Sequence, residues 1–145
     1  MLVKHHVMVS LSGGVIFYIV TQSLFKAAVF GLVGIFIDLD HLFDYVRHFG
    51  WKIVNFREFS RVFYKCELKK IYVLLHSYEV WVSTGIILWY LKPDWGWAAF
   101  LSLTIHFLMD HLYFFTHFKE VKPWFYFLTY RLSRGFELES FKQRR

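Results

Sequence analysis

The chain has 145 residues, 57% of them hydrophobic and 23% aromatic, and a net charge of +6. A soluble domain of this length has too little interior for 18 Phe, 9 Tyr and 6 Trp, so the composition points to an integral membrane protein. The basic balance then reads as Lys and Arg flanking membrane segments rather than as a nucleic-acid surface, and the single cysteine, Cys66, excludes an intramolecular disulfide.

From Val7 to Ile37 the sequence is apolar apart from Thr21-Gln22-Ser23 and Lys26. One helix of that length would reach about 46 Å, against a hydrocarbon core of about 30 Å, so two helices are predicted, at about His5 to Ile19 and Leu24 to Leu42. The first run continues past any signal-peptide cleavage point, and the N-terminus is expected to be retained. Small residues in the first helix (Ser10, Ser12, Gly13, Gly14) and in the second (Gly31, Gly34) allow the backbones to approach closely.

Residues 47–70 interleave seven basic side chains with aromatics. The spacing of Phe56, Phe59 and Phe63 predicts an amphipathic helix lying in the membrane interface, its basic residues towards lipid phosphates. A third membrane helix is predicted from Ile71 to Leu91, ended by Lys92-Pro93-Asp94, and a fourth from Trp95 to Phe115. Residues 119–145 form a basic tail with seven Lys and Arg, set apart from a membrane domain over 1–118. The expected fold is therefore all-α, an integral membrane four-helix bundle of two helical hairpins with an interfacial connector.

The tight turns carry only Lys26 and Lys92, so the positive-inside rule places both termini and the connector in the cytoplasm, in a multi-pass protein of the inner or plasma membrane. That topology brings several polar side chains into one leaflet. Asp38 and Asp40 end an apolar run that holds no other acid, with His41 beside them. Carboxylates in lipid cost roughly 2.5–3.5 kcal/mol each on insertion scales, and a bound cation is the simplest compensation. His5 or His6, His76, His106 and Asp110 share the same end. His106 and Asp110, four residues apart, stand on one helix face. Asp38 and Asp40 diverge by about 200° on a continuous helix, so both can face one ion only if the helix loosens there. His41 with Asp44, and Glu79 near His76, are further candidates.

Mixed imidazole and carboxylate ligands suit zinc, manganese or iron better than magnesium or calcium. The expected metal ligands are His5 or His6, Asp38, Asp40, His76, His106 and Asp110, holding one or two divalent ions, with zinc or manganese favoured. His41 or Glu79 would accept or relay a proton.

In this order, an N-terminal His, Asp38-Leu39-Asp40-His41 after a glycine-containing apolar helix, His76-Ser77, and His106-Phe107-Leu108-Met109-Asp110 resemble the membrane-bound metal-dependent hydrolases, over about the first 115 residues. That family commonly has Pro where this chain has Ile37, and a His where it has Ile71. The resemblance implies metal-dependent hydrolysis without naming a substrate. The expected activity is cleavage of an ester or phosphoester, in a lipid, at the cytoplasmic leaflet, with basic segments drawing anionic head groups. A metal-ion carrier and an inert structural or regulatory membrane protein are the alternatives.

Overall fold

A computed structural model describes residues 3–50, 56–64, 67–117 and 121–142; Cys66 and parts of the basic connector and tail lie outside them. The fold is all-α. Seven helices are described: α1 (Val3–Thr21), α2 (Leu24–Phe36), α3 (Leu39–Phe49), α4 (Phe56–Tyr64), α5 (Tyr78–Leu91), α6 (Gly96–His117) and α7 (Leu128–Ser133). Short 3-10 turns at Pro123–Tyr126 and Leu138–Phe141 flank α7.

The first hairpin follows the sequence expectation. Gln22 takes a positive φ of 51°, and Ser23 caps α2 by accepting the Lys26 N–H at 3.3 Å. Gly14 lies against the Ala27 carbonyl, so α1 and α2 meet backbone to backbone. A left-handed Lys92 (φ 47°) ends α5 and starts the second hairpin. Lys26 Nζ reaches Asp94 Oδ2 at 3.0 Å, which ties the two hairpin turns together at one end of the molecule. α6 is the central helix. Ser102 Oγ donates to the Phe30 carbonyl of α2 at 2.6 Å, and Trp81 of α5 stacks on Phe100 and donates to Thr104 at 3.1 Å.

Two expected helices are shorter than the sequence implied. The second stops at Phe36 and restarts as α3 at Leu39; the third begins at Tyr78 rather than Ile71, leaving 71–77 as a loop. At 1.5 Å per residue α2 and α5 then measure about 20 Å, short of a hydrocarbon core of about 30 Å. Among the described residues no helix is long and apolar enough to cross a membrane. The first interruption falls at Asp38, and the second runs through an apolar stretch to end at His76 and Ser77.

Within the connector, α4 forms over the expected aromatic spacing, but Phe59 and Val62 turn inward against Tyr45 and Leu68. Residues 121–142 also pack inward. Tyr126, Leu138 and Phe141 are buried with Ile37, Leu103 and Phe107 in one apolar cluster. An isolated antiparallel bridge of Lys70 with Glu137 holds this segment to the body, and a second, Val121 with Lys142, closes the segment on itself.

Candidate metal centre

The break between α2 and α3 builds one wall of the site. An uninterrupted helix would direct the Asp38 N–H to the Gly34 carbonyl; instead it donates to Ile35 at 3.3 Å. The Gly34 carbonyl accepts from His106 Nδ1 at 3.0 Å. That bond holds a proton on Nδ1, so that in the neutral ring Nε2 carries the lone pair and can serve as a ligand.

His76 is set in the same way from the opposite wall. Its Nδ1 donates to Asp40 Oδ2 at 3.0 Å, and the same oxygen accepts the Leu75 N–H at 2.8 Å. The His76 and His106 Nε2 atoms lie 3.1 Å apart. Asp38 Oδ1 is 3.5 Å from the first and 3.4 Å from the second, and Asp110 Oδ2 is 3.3 and 3.4 Å from them. Ligand atoms about 2.0–2.1 Å from a tetrahedral ion are separated by about 3.3–3.4 Å, so Asp38, His76 and His106 are spaced as ligands of one ion, and Asp110 Oδ2 stands at the same spacing from both rings. Each ring has committed its Nδ1 proton elsewhere. With the rings neutral, two lone pairs and two carboxylate oxygens face one largely buried space, and a cation, either a metal ion or the protons of the imidazolium forms, offsets their repulsion.

His6 completes the cluster from α1. It is buried, stacked on His106 at 4.0 Å between ring centres, with Nε2 3.0 Å from Asp110 Oδ1. His5 is exposed. The sequence left these two open, and the structure brings in His6 alone. Asp40, expected as a ligand beside Asp38, stands behind His76 and orients its ring; the two carboxylates diverge because Asp40 lies inside α3 while Asp38 precedes it.

His41 lies alongside, its ring 4.4 Å from that of His76 and its Nε2 4.0 Å from Asp38 Oδ1. Burial, with neighbouring His76, pushes its pKa down to about 4. Asp38 Oδ2, Asp40 Oδ1 and His41 Nδ1 are buried without a hydrogen-bond partner. Asp40, His41 and His76 also offer atoms within 4.8 Å of one another, as do His6, His106 and Asp110. The residues present thus fit one transition-metal ion and offer donors for a second.

Glu79 is not brought to the cluster. Its oxygens accept the Leu128 and Thr129 N–H groups at 2.8 and 3.0 Å and the Thr129 hydroxyl at 2.9 Å, capping the start of α7. Asp44, a candidate with His41 in the sequence, is turned away from it; its Oδ2 accepts the Tyr72 and Val73 N–H groups at 2.7 and 3.0 Å. Burial outweighs those bonds and raises the Asp44 carboxyl to about 6.

The sequence reading missed Arg131. It is wholly buried and donates to the carbonyls of Tyr72, Val73 and His76 at 2.6, 2.9 and 3.2 Å. It looks like one of many basic residues in a tail, and only its neighbours Tyr130 and Leu132 hint at burial. No model of a known family, no curated protein and no solved structure matches the chain.

Proposed function

We propose that this protein is a membrane-embedded, metal-dependent hydrolase that cleaves an ester or phosphoester bond of a lipid. The observation that carries the reading is the spacing of His76 Nε2, His106 Nε2 and Asp38 Oδ1 as ligands of one ion, with Asp110 Oδ2 at like distances from both rings and both Nδ1 atoms engaged by other partners. In this reading those four residues hold a zinc or manganese ion, and His6 supports Asp110 from α1. A divalent ion there supplies Lewis acidity, making water acidic near neutral pH and polarising an ester or phosphoryl oxygen. His41, beside the cluster with its buried Nδ1 unpartnered, would accept the proton released by the attacking water.

The lipid part of the reading rests on an inverted surface. The polar cluster is inside, while α1 exposes Val15, Ile16, Ile19 and Val20, and α5 exposes Trp89 and Tyr90. Exposed apolar area on this scale marks a surface that meets lipid or protein. The ion-paired hairpin turns lie at one end, and His6, Asp38 and His76 lie at the opposite ends of α1, α2 and α5, with His106 and Asp110 in the second half of α6, which suits hairpins inserted from the cytoplasmic face with the site towards the head-group level. The order of the motifs, similar to that of the membrane-bound metal-dependent hydrolases, supports the same class.

The test is hydrolysis. Metal-loaded protein in detergent or vesicles is assayed against phospholipids and fatty-acyl esters beside His106→Ala. Turnover by the wild type that is lost in the variant supports the reading. A loaded wild type that cleaves no ester or phosphoester overturns the hydrolase assignment, even with the metal site intact.

A further inference from the structure

We propose that Arg131 and Asp44 are positioning residues for His76, fixing loop 71–77 so that the His76 Nε2 stays aimed at the metal cluster. This inference rests on the metal reading of that cluster.

The loop makes little regular structure of its own. Val73, a β-branched residue, sits at φ +34°, a conformation that such residues avoid and that persists only where surroundings impose it. Three charged side chains do so here. Asp44 Oδ2, from α3, takes the N–H groups of Tyr72 and Val73. Asp40 takes the N–H of Leu75 and the Nδ1 proton of His76. Arg131, from α7, gives Nη1 to the Tyr72 and Val73 carbonyls and Nη2 to the His76 carbonyl.

Residues 72 and 73 are thus gripped on their N–H side by a carboxylate and on their C=O side by a guanidinium. A fully buried guanidinium is expensive to leave without partners, and its planar fork suits several fixed acceptors in a way an ammonium does not. Its bond to the carbonyl of His76 itself sets the residue on its backbone, while Asp40 sets the ring. The segment after α6 also holds the start of the loop, the Phe136 carbonyl accepting the Ile71 N–H at 3.0 Å, and Arg131 carries that hold on to His76 itself. Glu79, by capping α7, holds the helix that presents Arg131.

The test titrates cobalt(II) into metal-free, full-length protein in detergent, following affinity and visible absorption, beside thermal unfolding of the metal-free form. Four proteins are compared: wild type, Arg131→Lys, Asp44→Asn and Phe141→Leu. Phe141 is buried in the same C-terminal segment but bears no bond to the loop, so its variant reports general loosening. We expect Arg131→Lys and Asp44→Asn each to weaken cobalt binding roughly 10- to 100-fold and to alter the absorption bands, as loss of outer support does at other metal sites. Phe141→Leu should lower the melting temperature while keeping wild-type affinity and spectrum.

If Arg131→Lys and Asp44→Asn bind and absorb as wild type does, the positioning role is overturned while the metal site stands. Equal loss in Phe141→Leu overturns it too, as a mere stability effect. A wild type that binds no cobalt overturns the metal reading itself, and this inference with it. Should one of the two loop variants fail to fold, the other decides.

Discussion

Adjacent helical residues point about 100° apart, and on α1 that rotation exposes His5 and buries His6 against His106 and Asp110. His6→Ala is expected to weaken metal binding by about 10-fold or more, and His5→Ala to leave it unchanged, as read by equilibrium dialysis. Equal behaviour of the two would remove α1 from the site. Asp44 gives a pH prediction. Its carboxyl is held at about 6 in the fold against 3.8 ordinarily, so the protonated form is favoured in the native state. The associated stability is fully present below pH 3.8 and is lost as pH rises through about 6, by an amount on the order of 2 kcal/mol. Relative to wild type, metal-free Asp44→Asn should therefore gain stability between pH 5 and pH 7; a constant difference across that range would refute the assignment. At this scale the ligand types were legible, because an acid or imidazole in an apolar run needs a reason. Which face each takes was not, since that depends on helix phase and on breaks that spacing does not locate.

Helix breaks, rather than helices, make the site. The one at Asp38 frees the Gly34 carbonyl for His106, and the one over 71–77 swings His76 onto the cluster. The need for a break near Asp38 was readable from the two-residue spacing of Asp38 and Asp40. The break before Tyr78 was not: Ile71, Tyr72, Val73, Leu74 and Leu75 read as the start of an apolar helix, and the Asp44 and Arg131 partners that override this lie far off in sequence. Gly34 also marks the tightest approach of α2. A Cβ there would collide with Ser10 and come within 2.8 Å of Ser102 Oγ, so Gly34→Ala should cost about 1–3 kcal/mol and weaken metal binding together, by melting and by dialysis. Glu79→Ala removes the cap of α7. It should cost about 1 kcal/mol in stability with the metal retained; abolished turnover with unchanged metal and stability would restore Glu79 to the chemistry.

For the whole molecule, the all-α class and the gathering of Asp38, His76, His106 and Asp110 with one of His5 and His6 were legible, because two hairpins must bring alternate helix ends together. Residues 119–145 were misread as a surface tail: their basic count hid Tyr126, Leu138 and Phe141, which close the core over α6. The inverted surface makes its own prediction. In a Cys66→Ser background, spin labels at Val20 and Tyr90 in vesicles should be reached by oxygen and shielded from a water-soluble nickel complex, with the reverse at Arg57 on α4. Nickel access at all three positions would exclude lipid as the environment of α1 and α5.

The central claim is that these buried imidazoles and carboxylates hold a metal ion. Elemental analysis of detergent-purified wild type beside an Asp38→Asn, His106→Ala double variant tests it most directly. Near-stoichiometric zinc or manganese in the wild type, lost in the variant, is the predicted result. A wild type that carries no metal after dialysis against excess zinc and manganese would contradict it, and would leave the cluster as a network of protonated histidines and carboxylates that pairs the helices.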